Sequence, residues 1–411
     1  MIVVKKKNFC PVCGKKKIKN VLKLRSIPFV DNFSKKKIST IHDKLYPVEV
    51  QLCMTCSHLF LKHFINQNNY YKKKFTYRTQ VTQELKHHFL LEIKKIFKKF
   101  KIKKNSLCVD IGSNDGTILS IFKKHKMKFI GIEPSIQISK LANSKGLKTI
   151  NSFFNESTVK KIIWDVGYPT VISSTYTFAN IEDTKKFLKN IKNLLSNEGI
   201  FIVETGYHPQ QMKNNMFDYF YHEHFSYFSL KSLKKLLNNS GFKILEARIT
   251  SPKSGSLLVV AKKIKEINKS YELPVASEKK ILRQEKKNGV YQKKFYEKFS
   301  KKIYVLKKKL HKKLNKIKKN GHPIAGYGAS HSSTLLVHQF ELSNFLNFLV
   351  DDNRNKHFTY SPNFKLPVFP SKKIYKDDVK NILLLAWNKK NLIVNNHKEF
   401  IDSKGKFILP F

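Results

Sequence analysis

The sequence predicts an α/β protein with a central doubly wound sheet, a small cysteine-rich module before it and a second, smaller α/β domain after it. Short β-rich runs alternate with amphipathic runs between residues 105 and 262, which is typical of a mostly parallel sheet covered by helices. Two Cys-x-x-Cys pairs precede this region, and the strand, helix, strand pattern returns after residue 320. A chain of 411 residues has room for about two to four domains with cores of their own.

Composition divides the chain into five segments. They are a cysteine-rich module, a connecting helix, the central α/β domain, a lysine-rich helical connector and the C-terminal α/β domain, at residues 1–70, 71–104, 105–262, 263–320 and 321–411. The connecting helix is predicted because apolar residues recur at helical spacing from Val81 to Ile96. The connector is predicted as one long helix, because apolar residues recur every three or four positions from Tyr291 to Ile317, with Phe295 and Phe299 among them.

The predicted strands of the two α/β domains are short apolar runs bounded by turn residues. They lie at 107–111, 129–133, 171–173, 200–204, 244–247 and 257–260 in the central domain, and at 324–327, 348–351 and 382–386 in the C-terminal domain. The last two strands of the central domain follow each other closely, which predicts an antiparallel edge on an otherwise parallel sheet.

The chain is strongly basic, with 80 Lys and Arg against 29 Asp and Glu and a net charge of +51. Such a charge suits nucleic acid or another anionic partner. However, only five of the 80 cations are arginines, and arginine is the residue whose planar fork reads bases and clamps phosphates. The lysines are also spread along the whole chain. We therefore attribute the charge mainly to lysine-biased codon usage, with attraction to small anionic substrates as a second interpretation and a nucleic-acid partner as a third.

Four of the five cysteines form two close pairs, Cys10/Cys13 and Cys53/Cys56. Each Cys-x-x-Cys turn can direct two thiolates at one centre, so the two pairs supply the four ligands of a tetrahedral zinc ion. Because cysteine takes all four positions, none is left for an activated water, and we predict a structural zinc site. These thiols, the absence of a signal-peptide pattern and the absence of an apolar run of about 18 residues lead us to expect a cytoplasmic protein without a membrane span.

A glycine-rich segment, Val109-Asp-Ile-Gly-Ser-Asn-Asp-Gly-Thr117, follows the first strand of the central domain and opens a helix. Gly112 and Gly116 let the backbone approach a ligand closely at the helix N-terminus. Glu133 ends the next strand, 21 residues after Gly112, where a carboxylate can accept both hydroxyls of a ribose. The segment therefore predicts a pocket for a ligand that contains a ribose.

The ligand predicted for this pocket is S-adenosylmethionine rather than a nicotinamide dinucleotide. The dinucleotide fingerprint G-x-G-x-x-G is broken, since Asn114 and Thr117 stand where it needs glycines. Asp115 would repel a pyrophosphate but suits the amino group of the methionine part. Asp110 is a further candidate in the donor site, and anchoring of the loop is the other interpretation of this residue.

A run of aromatic and proton-transfer residues, Phe217-Asp-Tyr-Phe-Tyr-His-Glu-His-Phe-Ser-Tyr-Phe228, follows the strand at 200–204. In open α/β sheets ligands bind beyond the carboxyl ends of the strands, and histidine titrates near neutral pH. We therefore predict an acid–base site here, next to the donor pocket. A metal pair of His222 and His224 and an inert aromatic loop are the two other interpretations.

The order of these motifs resembles that of the sugar C-methyltransferases that act on nucleotide-linked deoxyhexoses. The resemblance covers nearly the whole chain, and the joint order of the motifs is far more specific than any single one. The matching motifs are Cys10-Pro-Val-Cys13, Cys53-x-x-Cys56, Asp110-x-Gly-Ser-Asn-Asp-Gly116, Glu133-Pro134, Tyr221-His-Glu-His-x-x-Tyr-Phe-Ser229, Gly326-Tyr-Gly-Ala329 and Val350-Asp-Asp-Asn353.

The resemblance implies an N-terminal zinc-binding module, a central class I methyltransferase domain that binds S-adenosylmethionine, and a C-terminal Rossmann-like domain. It also implies that Tyr221, Glu223 and His224 lie at the sugar, with His224 as the favoured base. Tyr77 is similar to a tyrosine that the family brings from the N-terminal side. The expected reaction methylates the carbon next to the ketone of a nucleotide-linked keto-deoxy sugar, through an enolate that attacks the sulfonium methyl group.

Two segments depart from the family pattern. The family's His-Gly-Gly-Ser before its last strand is Lys253-Ser-Gly-Ser256 here, and its Asn- and His-containing segment after the fourth strand is Ser174-Thr-Tyr-Thr-Phe-Ala-Asn180. Both lie near the expected acceptor pocket and leave the sugar and its reacting atom open. The alternatives are methylation of an oxygen or nitrogen on another small anionic metabolite and, in a different class, a zinc-knuckle nucleic-acid-binding protein or RNA methyltransferase.

Overall fold

The computed structural model describes residues 4–30, 32–36, 44–65, 83–264, 273–376 and 379–411. These residues form two compact units. The first comprises the described residues within Met1–Lys19, Gln51–Gln211 and Glu223–Gln292, and the second those within Asn20–Val50, Met212–His222 and Lys293–Phe411. Each unit is therefore assembled from pieces that are distant in the sequence, and the five predicted segment boundaries stay predictions.

Short strands make up the N-terminal part of the chain. They are β1 (Val4–Lys6), β2 (Ile18–Ile27), β3 (Tyr46–Cys53), β4 (Leu59–Leu61) and β5 (His63–Ile65). β1 pairs antiparallel with β5, and β2, β3 and β4 belong to a four-stranded sheet whose edge strand is Ser226–Tyr227. Cys53 is the last residue of β3, and the other three paired cysteines lie in the segments beside these strands.

The central sheet is the doubly wound sheet that the sequence predicts. The strands of this region are β6 (Leu107–Ile111), β7 (Lys128–Ile132), β8 (Thr149–Ile150), β9 (Val171–Thr175), β10 (Ile200–Gly206), β11 (Ser226–Tyr227), β12 (Phe242–Thr250) and β13 (Ser256–Lys263). All except β11 form one sheet in the order β12-β13-β10-β9-β6-β7-β8. β6 to β10 run parallel, whereas β13 is antiparallel to both β10 and β12, which confirms the predicted antiparallel edge.

Helices cover this sheet. They are α1 (Gln83–Lys99), α2 (Thr117–Lys124), α3 (Ile136–Ser144), α4 (Glu156–Val166), α5 (Thr184–Leu194), α6 (His208–Lys213), α7 (Leu230–Asn239) and α8 (Ala276–Lys287). Every residue of β6 and of β10 is buried, as expected for parallel strands covered on both faces. One hydrophobic core contains Val109 of β6 together with Cys10 and Cys53, so the cysteine pairs pack into the same core as the central sheet.

A second parallel sheet forms the C-terminal part. The elements are α9 (Lys293–Lys319), β14 (Ile324–Tyr327), α10 (His331–Gln339), β15 (Phe348–Asp351), β16 (Thr359–Tyr360), β17 (Pro367–Pro370), β18 (Asn381–Leu384), α11 (Lys390–Asn396), α12 (Lys398–Asp402) and β19 (Lys406–Ile408). The strand order is β16-β17-β15-β14-β18-β19, with β16 antiparallel to the others. The five parallel strands have the Rossmann order around β14, which confirms the expected Rossmann-like domain.

The long lysine-rich helix is confirmed as α9, with one correction to its apolar face. Tyr296 is fully buried, whereas Phe295, which the spacing placed on the buried face, is half-buried. In the described residues, no helix is both long enough and apolar enough to cross a membrane.

Candidate active site

The loop between β6 and α2 depends on glycine at two positions. Gly112 and Gly116 have φ values of +73° and +80°, in the left-handed region. A Cβ at Gly112 would lie 2.1 Å from Oγ1 of Thr177, and one at Gly116 would lie 2.5 Å from Cδ1 of Leu147. A side chain at either position would therefore meet both backbone strain and a steric clash, and the loop keeps an open concave surface only with glycine.

Glu133 connects this loop to the next one. It is the first residue after β7 and is 4% exposed. Its carboxylate accepts hydrogen bonds from the backbone N–H of Ser135 at 2.8 Å and of Asn114 at 3.1 Å. The pKa of Glu133 is raised to about 7, mainly by burial and also by the charge of Asp115, against the two backbone hydrogen bonds, which lower it. The carboxylate thus lies where two parallel strands end side by side.

Asp110 and Asp115 are both buried, in different surroundings. Asp110, in β6, accepts a hydrogen bond from the hydroxyl of Ser173 at 2.6 Å. Burial raises the pKa of Asp110 to about 7, the hydrogen bond from Ser173 lowers it, and the charge of Glu133 raises it. Asp115 accepts a hydrogen bond from the hydroxyl of Thr117 at 2.7 Å, at the first turn of α2. Asp115 is thus engaged with the helix that the glycine loop opens.

A cavity of about 300 Å³ opens beyond the carboxyl ends of β6, β7 and β9, which is large enough for part of a small-molecule ligand. Asp110, Gly112, Asn114 and Glu133 line it. Asp115 and Gly116 are absent from its lining, so a contact of Asp115 with the amino group of a donor stays a prediction. Four of the six residues that the sequence nominates for the donor site therefore meet at one cavity.

The remaining walls of the cavity come from other elements. α1 contributes Leu85 and Phe89, and the turn after β9 contributes Tyr176 and Thr177. Lys253 lines the cavity from the segment that precedes β13. The ring of Phe89 lies 6.2 Å from that of Tyr176, measured between centroids. Apolar rings and a few polar groups thus surround the space beside the glycine loop.

The segment Tyr221-His222-Glu223-His224 is buried except for its tyrosine. His222, Glu223 and His224 are 2%, 4% and 6% exposed, and Tyr221 is half-buried. Nε2 of His222 donates to the carbonyl of Pro47 at 3.2 Å. The ring of His224 meets that of Tyr227 edge to face, with 6.3 Å between centroids. Glu223 and His224 belong to the first compact unit, like the cavity, and Tyr221 belongs to the second.

Phe225, the residue after His224, connects this segment to the cavity. Its side chain lines the cavity. Its backbone N–H donates to the carbonyl of Ala179 at 2.8 Å, and its carbonyl accepts from the N–H of Leu61 at 3.1 Å. The backbone at His224 is therefore fixed next to the cavity wall. Contacts of Tyr221, Glu223 and His224 with a substrate stay predictions, and Tyr77 lies outside the described residues.

The four paired cysteines converge on one point. The Sγ atoms of Cys10, Cys13, Cys53 and Cys56 all lie within 4.8 Å of one another, and two of the Sγ–Sγ distances are 3.5 Å. A tetrahedral zinc ion with Zn–S bonds of about 2.3 Å holds its sulfurs about 3.8 Å apart, so the cluster fits zinc. The hydrogen bond between Cys10 and Cys56 lowers the pKa of Cys10 and raises that of Cys56, so Cys10 is the first of the two to become a thiolate. Within the described part of the chain, no group of three or more metal-binding side chains includes His222 or His224.

Three family models match consecutive parts of the chain. A domain described as zinc binding matches residues 10–71, a methyltransferase domain matches residues 77–247, and a C-methyltransferase C-terminal domain matches residues 252–411. The C-methyltransferase NovU of Streptomyces niveus is 26% identical over 409 residues, which cover 98% of this chain and 94% of the relative. The chain thus combines matches to a zinc-binding domain, a methyltransferase domain and a C-methyltransferase C-terminal domain, in this order.

Two further comparisons cover smaller parts of the chain. The carboxy-S-adenosyl-L-methionine synthase of Staphylococcus epidermidis is 30% identical over 148 residues, which cover 33% of this chain and 64% of the relative. The crystal structure of magnesium protoporphyrin IX methyltransferase from Synechocystis PCC 6803 with bound S-adenosylmethionine has a TM-score of 0.34 and 12% identity, covering 47% of this chain and 88% of that one.

These matches confirm several expectations. This C-methyltransferase takes its methyl group from S-adenosylmethionine and carries a structural zinc ion at the four cysteines. The central sheet is the class I methyltransferase sheet, preceded by the zinc module and followed by the Rossmann-like domain. The matches to C-methyltransferases favour carbon over oxygen or nitrogen as the acceptor atom.

Several residues of the C-methyltransferase cavity were not among those that the sequence nominates. Leu85 and Phe89 were predicted only as one face of a helix, and the fold brings that face to the cavity. Tyr176 and Lys253 appeared only as departures from the family pattern. The position of Tyr176 directly after a predicted strand is a signal that could have nominated it, because ligands bind at strand ends.

Proposed function

We propose that this C-methyltransferase methylates the carbon next to the ketone of a nucleotide-linked keto-deoxy sugar. The observation that carries the proposal is the position of Phe225, which lines the cavity and directly follows Tyr221-His-Glu-His224. A carbon acceptor must lose a proton before it can attack a methyl group, so such an enzyme needs a base beside its donor site. The carbon must also carry an acidic proton, and a ketone provides this because it acidifies the neighbouring C–H bond.

In the proposed reaction, His224 removes the proton from the carbon next to the ketone. The electron pair of the broken C–H bond moves to the ketone oxygen and gives an enolate. S-adenosylmethionine supplies an electrophilic methyl group, to which the enolate carbon bonds while the methyl–sulfur bond breaks and its electrons stay on sulfur. Tyr221 and Glu223 orient the sugar or share the proton, and Tyr77 is proposed to act beside them.

At the donor end, Glu133 is proposed to accept the ribose hydroxyls. Gly112 and Asn114 line the same wall and let the ligand approach the backbone. When the donor binds, its hydroxyls stabilise the charged carboxylate against the burial that raises the pKa of Glu133. Asp115, beside α2, is proposed to attract the amino group of the methionine part of S-adenosylmethionine from its position in this loop.

The net charge of +51 fits a substrate that carries a nucleoside diphosphate. Lysine makes up 75 of the 80 cations, and point charges suit diffuse attraction better than base reading. We therefore expect no nucleic-acid substrate. We also place the reaction in the cytoplasm, where reducing conditions keep the four zinc-binding thiols available.

The proposal is tested by incubating the purified protein with methyl-labelled S-adenosylmethionine and a panel of nucleotide-linked 4-keto sugars. We expect at least one sugar to gain a methyl group on the carbon next to the ketone, located by NMR of the product. The matched control is the same sugar with the ketone reduced to an alcohol, which should not react. Transfer to an oxygen or nitrogen, or equal reaction of the reduced sugar, would contradict the proposal.

A further inference from the structure

We infer that Lys253 is a further catalytic residue, whose ammonium group stabilises the negative oxygen of the enolate. The inference rests on the proposed function, since it assumes a ketone acceptor. The structural basis is the combination of position, charge and backbone geometry at the segment Pro252–Ser254 and the two residues that follow it.

The charged side chains that line the cavity are mostly acidic, so a negative enolate would need a positive group beside it. Among the described residues that line the cavity, Lys253 has the one basic side chain, whereas Asp110, Glu133 and Glu182 are acidic. Formation of an enolate adds negative charge to the substrate inside this acidic surrounding. A fixed positive charge aimed at the developing charge is usually the largest contribution to catalysis in such a step.

The position of Lys253 along the sheet separates it from the ribose site. Glu133 follows β7, whereas Lys253 precedes β13. The strand order β7-β6-β9-β10-β13 places four strand spacings between β7 and β13. At about 4.8 Å per spacing, the two strands are about 19 Å apart. Lys253 therefore enters the cavity from a segment on the far side of the sheet from Glu133, and we place the acceptor at this end.

Tyr176 supports the side chain of Lys253 at this place. Nζ of Lys253 lies over the Tyr176 ring, 5.7 Å from its centroid. An aromatic face attracts a cation at this distance, so the ring stabilises the ammonium group. The hydroxyl of Tyr176 is hydrogen-bonded to Oγ of Ser256 at 2.9 Å. Tyr176 itself lines the cavity with Lys253. The ring thus links the ammonium group, the start of β13 and the turn after β9.

The backbone of this segment is strained in a way that fixes Lys253. Lys253, Ser254 and Gly255 have successive φ values of +54°, +59° and +124°, and two of these residues are not glycine. Oγ of Ser256 donates to the carbonyl of Pro252 at 2.8 Å, and Nε2 of Gln211 donates to the carbonyl of Lys253 at 3.1 Å. Strained backbone persists where the surroundings determine it and is concentrated at functional sites.

The chemistry balances with Lys253 as a hydrogen-bond donor that keeps its proton. When the base takes the proton from carbon, the negative charge moves to the ketone oxygen, and the ammonium group donates to it. When the carbon bonds to the methyl group, the ketone forms again and the hydrogen bond weakens. The proton from carbon leaves through the base, and sulfur keeps the electrons of the broken bond.

The test uses Lys253→Met in the full chain. Loss of one oxyanion donor typically costs about 10²–10³ in rate, so we expect that loss both in kcat and in the solvent-deuterium exchange of the keto sugar measured without donor. The Kd of S-adenosylmethionine should stay within about twofold of the parent value, which also shows that the variant is folded. Lys253→Arg, which keeps the charge, should recover most of the rate. The matched control is Lys262→Met at an exposed position of β13, which should behave as the parent.

Each other outcome overturns the inference. If Lys253→Met raises the Kd of S-adenosylmethionine but leaves kcat unchanged, Lys253 binds the carboxylate of S-adenosylmethionine instead. If Lys253→Met exchanges and transfers as fast as the parent, or if Lys253→Arg remains as slow as Lys253→Met, its charge is not used. A parent enzyme that neither exchanges nor methylates any keto sugar refutes the proposed function itself, which distinguishes that failure from the failure of Lys253 alone.

Discussion

The proposed donor end and the proposed acceptor end of the cavity are built in different ways. The donor end consists of the glycine loop and Glu133, which are 21 residues apart in the sequence and meet because β6 and β7 are neighbours. The acceptor end consists of Tyr176, Phe225 and Lys253, side chains from three distant segments. The comparison indicates that donor binding depends on a local backbone arrangement, whereas the acceptor site depends on the assembled fold. The two functions should therefore be separable by mutation.

The largest effect is expected for His224→Ala at the acceptor end. General-base catalysis contributes about 10²–10⁴ in rate, so kcat should fall by that factor while the Kd of S-adenosylmethionine remains near the parent value. Steady-state kinetics and calorimetric titration of the same preparation measure both quantities. If the variant has the parent's kcat, His224 is not the base, and Tyr221 and Tyr77 are the residues to test next.

A smaller effect, on binding instead of turnover, is expected for Glu133→Ala at the donor end. The substitution removes two charge-assisted hydrogen bonds to the ribose, each worth about 1.5–3 kcal/mol. Together they are worth at least about 3 kcal/mol, so we expect the Kd of S-adenosylmethionine to rise by about 150-fold or more, measured by calorimetry. Glu156→Ala, an exposed position in α4, serves as the matched control and should leave the Kd unchanged. Unchanged affinity in Glu133→Ala would mean that the ribose lies elsewhere.

Sequence reasoning succeeded where the signal is local. The bounds of β6, β14 and β15 equal the predicted runs at 107–111, 324–327 and 348–351, because a buried apolar run between turn residues is a complete signal for a central strand. The convergence of four cysteines was also readable, since metal geometry restricts the spacing of its ligands. The glycine loop between β6 and α2 is a third local signal, because its glycines and the carboxylate at the end of the next strand lie in one short stretch of sequence.

The sequence did not predict features that depend on long-range assembly. β8 has only two residues, and β17 begins and ends with proline, so neither gives a recognisable strand pattern. β2 and β3 went unpredicted as strands because lysines and prolines interrupt their apolar residues. At the site, Lys253 is one of 75 lysines, and nothing local distinguishes it. Its position becomes informative only when β13 is placed beside β10.

A third prediction concerns the backbone of the donor loop. Gly112→Ala should raise the Kd of S-adenosylmethionine by about tenfold, equivalent to about 1.4 kcal/mol, because its Cβ would displace the Thr177 side chain. Gly321→Ala is the matched control, since Gly321 has a φ of +72° but no atom within 4 Å of an added Cβ. Both variants should lose about 1 kcal/mol of stability to backbone strain, measured by denaturant unfolding. Equal donor affinity in the two variants would show that the space beside Thr177 is not used.

The smallest expected effect is the pH dependence of donor binding. Burial raises the pKa of Glu133 to about 7 in the ligand-free enzyme, and the charged carboxylate is the form that accepts hydroxyls. Affinity should therefore rise with pH through this range, by about fourfold from pH 6.5 to 8. Glu133→Gln should bind more weakly and without this slope. A slope that persists in Glu133→Gln but disappears in Asp110→Asn would move the ribose contact to Asp110, whose pKa is also raised to about 7.

The separation of the two ends is tested most directly by solvent-deuterium exchange into the keto sugar without methyl donor, compared in the parent, Glu133→Ala and His224→Ala. This measurement isolates proton removal from methyl transfer. We predict that Glu133→Ala exchanges the proton next to the ketone at nearly the parent rate, whereas His224→Ala loses about 10²–10⁴ of that rate. Exchange by His224→Ala at the parent rate, or an equal loss in both variants, would contradict a donor end and an acceptor end that work independently.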